Sequence, residues 1–353
     1  MSARPKVLVV GPSWVGDMVM AQALFRALAA RAPVPEIHVL APLWSLPLLA
    51  RMPEVAKSIE LDAGHGELKL GLRRALGVRL RAERYTQAIV LPRSLKAALV
   101  PWFARIPLRT GFRGEWRYGV LTDVRDLDER LDQTVKRFVA LGLDPSAAPA
   151  APLPREWQPK LRVDAANQAR LLREHGLGAE PLVALMPGAE YGPAKRWPAQ
   201  SFAELAAALA AAGRSVTLLG SAKERDLGEE IRTLAGSTRV HNLCGATALG
   251  DVVDLLAAAA AAVSNDSGLL HVAAAAGTPV VAIYGSSSPA YTPPLTADAT
   301  IVYRALECSP CFARECPLGH LRCLREIAAG DVLRAVEAAL VAPRRRAAGG
   351  ADA

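Results

Sequence analysis

The stretch that decides the fold is Ser264-Asn-Asp-Ser-Gly-Leu-Leu-His271, set between the apolar run Ala257–Val263 and the strand-like Pro279-Val-Val-Ala-Ile-Tyr284. It reads as strand, tight turn, helix, Gly277-Thr-Pro punctuation and strand again, which is one βαβ unit. The turn opens a helix at Ser267-Gly268, where free backbone N–H groups and the positive helix end suit a phosphate or diphosphate. Asp266 and His271 flank it with an acceptor and a group able to donate to phosphate. The same residues also make an ordinary helix start with Asp266 or Ser267 as N-cap, and His271 also fits a core position.

Working outward, the same alternation fills the chain. Lys6–Val10, Glu36–Leu40 and Thr86–Leu91 read as strands, with helices at Met18–Ala30 and around Leu46–Met52. Ala147–Pro159 is proline-rich, lacks either period and reads as a linker. Beyond it the alternation restarts: Asn167–His175 helix, Leu182–Met186 strand, Phe202–Ala212 helix, Ser215–Leu219 strand and Asp226–Ala235 helix. Strands alternating with helices predict parallel sheets covered on both faces. The expected division is residues 1–155, residues 156–343 and a disordered tail 344–353, with a ligand cleft between the two domains.

The 353 residues suffice for two cores, and 51% hydrophobic with 22% charged residues is a globular composition. No apolar run reaches the roughly 18–20 residues of a membrane-spanning helix. The N-terminus passes from Lys6 straight into Val7–Val10 without a signal-peptide pattern, so the expected location is the cytoplasm, with any membrane contact peripheral. Net charge is +8. Basic residues gather at Arg73, Arg74, Arg79, Arg81, Arg84, Arg93, Lys96, Arg105, Arg109, Arg113 and Arg117. They suit anionic lipid headgroups, a phosphorylated substrate or nucleic acid. No nucleic-acid motif accompanies them, which ranks that partner last. A merely solvated basic face stays open as well.

Four loops follow predicted strands of the second half or the first. Gly11-Pro-Ser-Trp-Val-Gly16-Asp17 imitates P-loop spacing but carries aspartate where that motif needs lysine, which argues against an ATPase or kinase. Asp17 suits a general base that takes a proton from a hydroxyl, or a carboxylate complementing a helix dipole. Pro187-Gly-Ala-Glu-Tyr-Gly-Pro-Ala-Lys195-Arg-Trp-Pro offers glycines for close backbone approach and a lysine for a diphosphate, unless Lys195 is an ordinary surface residue. In Gly220-Ser-Ala-Lys-Glu224, Glu224 is placed to accept hydrogen bonds from ribose hydroxyls. Asn242-Leu-Cys-Gly-Ala-Thr247 offers apolar walls for a base. Loops gathered at strand C-termini mark a ligand site in such folds. Cys308, Cys311, Cys316 and Cys323, with His320 nearby, fit either a structural zinc site or a loop of reduced thiols.

Together these blocks resemble the ADP-heptose:lipopolysaccharide heptosyltransferases of Gram-negative bacteria. The resemblance runs from Gly11–Met20 through Pro187–Pro198, Gly245–Leu256 and Asn265–Gly285 to Cys308–Leu324, and the last block is more similar to type II than to type I. It implies a GT-B fold, two Rossmann-like domains facing across a cleft, the first for a lipid acceptor and the second for ADP-heptose. It also raises the option that the final helix, Asp331–Val341, packs back on the first domain. By position it implies Asp17 as catalytic base and Lys195, Glu224, Asp266, Ser267, Gly268 and His271 as donor-binding residues. Arg93, Lys96 and Arg113 are the expected contacts of a phosphorylated lipid A-Kdo-heptose acceptor. The implied reaction moves L-glycero-D-manno-heptose, with inversion and no cofactor in the chemical step, to the 3-hydroxyl of the first heptose. The implied location is the cytoplasmic face of the inner membrane, held peripherally. Heptosyltransferase I or another core heptosyltransferase is the nearest alternative, then a sugar-nucleotide epimerase, then a non-catalytic binding module.

Overall fold

The computed structural model describes residues 4–64, 66–145 and 152–341. They form two compact units, one reaching Arg162 and including Ala290–Thr292, the other comprising Val163–Pro289 and the chain from Pro293 onward. The change of unit falls after residue 155, the boundary expected from the proline-rich segment. The reason is visible in the contacts that follow it. The Glu156 carbonyl accepts from Arg26 Nε at 2.6 Å. Lys160 N donates to Gln22 Oε1 at 2.9 Å. Arg162 N donates to the Arg51 carbonyl at 2.8 Å. The start of that linker, residues 147–151, and the tail 344–353 lie outside the described residues.

The first unit is built on β1 (Lys6–Val10), β2 (Glu36–Ala41), β3 (Val55–Glu60), β4 (Gln87–Val90), β5 (Leu108–Phe112) and β6 (Asp123–Arg125). All pair in parallel, in the order β3-β2-β1-β4-β5-β6. Strands covered on both faces read as continuous apolar runs, and Val7 to Val10 are all buried. The edge strand β3 is mostly exposed, and its lysine, serine and glutamate blunt that edge. Leu8, Val10, Ala88 and Val90 of the central strands share a core with Leu76 and Leu80 of the helix Leu70–Leu80 and with Ala97, Ala98 and Val100 of the helix Leu95–Phe103.

The second unit opens on Asp164, whose carboxylate accepts from Ala166 N and Asn167 N at 3.1 Å and so caps the helix Ala165–Glu174. Its strands are β7 (Leu182–Met186), β8 (Ser215–Leu218), β9 (Val240–Asn242), β10 (Ala261–Asn265), β11 (Val280–Tyr284) and β12 (Ala299–Tyr303). They too are all parallel, in the order β12-β11-β10-β7-β8-β9. Counted from its own first strand, each sheet has the same order, 3-2-1-4-5-6. The order reverses between β1 and β4 in one and between β7 and β10 in the other. At such switch points the loops leaving two adjacent strands diverge and open a crevice beyond their C-terminal ends. The last described helix, Ala329–Val341, buries Val332 and Val336 in the second unit's own core beside Phe202 and Trp197.

Candidate functional site

At the β7/β10 switch point the chain brings together five residues expected at a phosphate-binding turn. Lys195 Nζ lies 2.6 Å from Asp266 Oδ2, with the lysine 18% and the aspartate 5% exposed. Asp266 directly follows β10, and Ser267 occupies the N-cap of the helix Gly268–Ala276 without making a side-chain capping bond. Its hydroxyl lies 3.3 Å from the Ser264 hydroxyl instead. The first N–H groups of that helix are therefore not taken up by an N-cap side chain, and they lie beside the Lys195–Asp266 pair. His271 is buried, and its Nδ1 has no hydrogen-bond partner among the described residues. Burial lowers its pKa, the nearby Lys195 adds to that, and Asp266 opposes it. The imidazole is accordingly neutral near pH 7.

The loop that carries Lys195 is fastened at both ends by one side chain. Asn265, fully buried at the end of β10, donates from Nδ2 to the Pro187 carbonyl at 2.7 Å and accepts from Trp197 N at 3.0 Å. Trp197 completes the anchor by donating Nε1 to the Ile327 carbonyl at 3.0 Å and packing edge-on against Phe202. Nothing in the sequence marked Asn265 out beyond its place in the decisive stretch.

Glu224, expected at a ribose, closes a capping box on its own loop. Its Oε2 accepts from Ser221 N at 2.6 Å and Ser221 Oγ at 2.9 Å, a capping box at the start of the following helical turn. Its Oε1 lies against Gly188, where a Cβ would come within 1.7 Å, so glycine at 188 leaves room for the carboxylate beside the Lys195 loop.

The cysteine-bearing segment joins the same site. The Arg314 carbonyl accepts from Ala194 N at 3.0 Å, Phe312 N donates to the Ser286 carbonyl at 2.7 Å, and Tyr191 Oη donates to the Phe312 carbonyl at 2.7 Å. Lys195 Nζ and the Arg314 guanidinium each stand over the Tyr191 ring, 5.0 and 5.2 Å from its centre. Arg314 and Tyr191 went unnoticed in the sequence because the loops that carry them lie over a hundred residues apart. The four cysteines line a cavity of about 50 Å³ with His320. Even so, among the described residues no three His, Cys, Asp or Glu side chains are grouped to hold a metal ion. A tetrahedral zinc site needs its sulfurs to converge at about 2.3 Å from one point. The candidate zinc site is therefore not supported. Cys308 and Cys311 are exposed and Cys323 is buried. The Cys316 thiol is held below its usual pKa by the backbone N–H groups of Leu321, with those of Leu318, Gly319 and His320 adding to the effect.

In the first unit, Asp17 stands half-buried in the first turn of the helix Val15–Ala29, just beyond β1. The N-cap of that helix is Trp14, so Asp17 is not the capping residue. Arg93 and Lys96 follow β4, across the switch point from it, and Arg113 follows β5. Arg93 donates from Nε and Nη2 to the Arg113 carbonyl at 3.3 and 3.2 Å. Arg113 is itself paired with Asp126 at 2.7 Å. The basic cluster is less uniform than its sequence. Arg73 is buried and donates to the Leu68 and Glu67 carbonyls, and Arg109 donates to the Val120 carbonyl. Arg117, also buried, donates to the Pro92 carbonyl at 2.7 Å and to that of Phe112, and burial draws its pKa down to about 10. These three hold the backbone together, and the exposed charge rests with the others. No helix among the described residues is long and apolar enough to cross a membrane.

The profile of glycosyltransferase family 9, the heptosyltransferase family, matches residues 73–322. The chain belongs to that family. Lipopolysaccharide heptosyltransferase 2 of Salmonella typhimurium is 50% identical over 305 residues, 84% of this chain and 87% of that protein. Lipooligosaccharide heptosyltransferase 2 of Haemophilus influenzae is 47% identical over 304 residues, covering 84% and 88%. The solved structure of Escherichia coli ADP-heptose lipopolysaccharide heptosyltransferase II superposes with a TM-score of 0.85 at 43% identity, covering 95% of this chain and 98% of that one. The family 9 chain described here is thus an α/β glycosyltransferase of GT-B architecture, with one Rossmann-like sheet in each unit.

Proposed function

We propose that this family 9 enzyme transfers L-glycero-D-manno-heptose from ADP-heptose to the 3-hydroxyl of the first heptose of a heptosyl-Kdo-lipid A acceptor. The observation that carries the reading is the meeting of Lys195, Asp266, His271 and the start of the helix Gly268–Ala276 at one switch point. The similarity to type 2 enzymes over most of the chain supports the acceptor position. In this reading the second unit binds the donor and the first receives the lipid acceptor at the cytoplasmic face of the inner membrane.

Asp17 takes the proton of the acceptor hydroxyl as its oxygen attacks the anomeric carbon from the face opposite ADP. The bond from that carbon to the β-phosphate oxygen breaks, its electron pair stays on the diphosphate, and the configuration inverts. Lys195, Arg314 and the helix N–H groups stabilise the charge that develops on the leaving group. Because Asp266 offsets Lys195, the second cation at Arg314 adds the positive charge that a diphosphate would meet. Asp266 orients heptose hydroxyls, and Arg93, Lys96 and Arg113 meet acceptor phosphates.

Assays with acceptors carrying zero, one or two heptoses test the assignment. Transfer to the one-heptose acceptor supports it, transfer to the heptose-free acceptor points to a type I activity, and acceptor-free conversion of ADP-heptose to an epimerase. In the same assay Asp17→Asn should lower turnover about 10²–10⁴-fold, as loss of a positioned base does, with ADP affinity unchanged. Near wild-type turnover would reduce Asp17 to a helix-dipole role.

A further inference from the structure

The C-terminal edge of the first sheet is greasy as well as basic. Because its six strands are parallel, the loops after β1 to β5 all emerge at one edge, and four of them bring exposed apolar side chains there. Trp14 follows β1, Leu43 and Trp44 follow β2, Leu68 follows β3, and Trp116 and Tyr118 follow β5, all of them exposed. Trp116 is the extreme case at 88% exposure, with Tyr118 edge-on at 6.3 Å.

The loop that presents Trp116 is built, not slack. Glu115 and Trp116 both adopt left-handed backbone, with φ of 40° and 53°, which is unfavourable for a bulky residue and persists only where the surroundings impose it. Three contacts impose it. Gly114 lies so close to the Arg93 carbonyl that a Cβ would fall within 2.6 Å of its oxygen. Glu115 Oε2 accepts from Leu95 N at 2.7 Å, and the buried Arg117 donates to the Pro92 carbonyl. The loop therefore holds an indole in solvent beside Arg93, Lys96 and Arg113. Trp and Tyr favour the headgroup level of a bilayer, and basic side chains favour its anionic lipids.

We propose that this edge docks on an anionic bilayer surface, with Trp116 as the inserted anchor and Arg93, Lys96 and Arg113 facing lipid headgroups. The inference rests on the lipid-linked acceptor proposed above, since docking would bring the first unit to the surface in which that acceptor sits.

The test uses the full chain and vesicles free of acceptor, made of phosphatidylethanolamine with or without phosphatidylglycerol. Wild type should co-sediment with the anionic vesicles and lose binding as salt rises. Trp116→Ala should weaken that binding roughly tenfold or more, as expected for withdrawing part of a tryptophan from the interface. Trp116→Phe should retain most of it while showing weaker tryptophan quenching by brominated lipid than wild type. ADP binding, measured in each variant, should stay at the wild-type level and certifies the fold. Vesicle binding by Trp116→Ala equal to wild type overturns the inference. So does a wild type that transfers heptose yet ignores acceptor-free vesicles, which leaves the proposed activity standing. Loss of turnover in detergent with vesicle binding intact would instead make Trp116 a stacking platform for acceptor sugar.

Discussion

Replacing Lys195 by alanine removes the 2.6 Å partner of Asp266 and one of the two cations over the Tyr191 ring. Asp266 keeps its other contacts, but a 5% exposed carboxylate then stands beside the proposed diphosphate site with one positive charge fewer. Loss of a charge-assisted hydrogen bond to the ligand is worth about 1.5–3 kcal/mol. At about 1.4 kcal/mol per decade, ADP should bind about 10- to 150-fold more weakly. The remaining carboxylate adds repulsion, of the order of 4 kcal/mol for two unit charges about 4 Å apart at an effective dielectric constant of about 20. Lys195→Ala/Asp266→Asn should therefore recover part of the affinity lost by the single variant, because it removes both members of the pair. Calorimetric titration with ADP and with adenosine reads this directly. Adenosine carries no phosphate, so its affinity should be the same in wild type and both variants. ADP binding by Lys195→Ala at the wild-type level, or an equal loss for adenosine, would refute a diphosphate role for this lysine.

Arg314→Ala should weaken ADP binding in the same titration by about 1.5–3 kcal/mol and leave adenosine binding unchanged; an unchanged ADP affinity would assign Arg314 to stacking on Tyr191 alone. His271 has a folded-state pKa below its usual 6.5 because it is buried. Stability from this group is full above pH 6.5, where both states are neutral. It falls below that pH as the unfolded chain binds a proton the folded chain refuses, by up to about 1.4 kcal/mol per pH unit. Denaturant unfolding of wild type and His271→Asn across pH 5 to 8 should show the slope reduced in the variant, and equal slopes would contradict it. Gly188→Ala should displace the Glu224 carboxylate and weaken the capping box, costing about 1 kcal/mol and lowering Tm by about 2–4 °C; an unchanged melting curve would show the carboxylate relocates freely. Iodoacetamide labelling followed by mass spectrometry should modify Cys308, Cys311 and Cys316 well before Cys244, whose thiol burial pushes up to about 12, and the reverse order would discount the described exposures.

The elements that could be read in advance are those whose burial is symmetric. Val7–Val10 and Leu182–Met186 are apolar throughout because helices cover both faces of central parallel strands, and each was assigned within its observed bounds. Edge elements carry no such signature. In β3, Lys57, Ser58 and Glu60 face solvent, and in the helix Leu70–Leu80 the arginines break the apolar period. The helix Val15–Ala29 starts earlier than expected, inside the glycine-bearing loop, which is why Asp17 is helical. Of the residues that meet at the β7/β10 switch point, those next to one another in sequence were legible from the turn they form. Asn265 and Arg314 were not, because what they do depends on loops meeting across roughly 70 to 120 residues of chain. Nor does sequence separate Arg93, exposed beside its loop, from Arg117, which is buried and donates to carbonyls through both Nη atoms.

The return of Ala290–Thr292 to the first unit bears on how the chain is made. Thr134 N donates to the Tyr291 carbonyl at 3.3 Å, and Arg137 reaches the Tyr291 hydroxyl at 2.6 Å while its guanidinium stacks on the same ring. The helix Thr134–Gly142 packs on the helix Val15–Ala29, but its Arg137 lacks Tyr291 until most of the second unit has left the ribosome. These last contacts of the first unit form only after Tyr291 is made, although the first sheet is synthesised whole by Arg125. A fragment ended at Arg162 would keep all six strands yet leave Arg137 without its aromatic cover, so excising the first unit alone yields an unfinished domain.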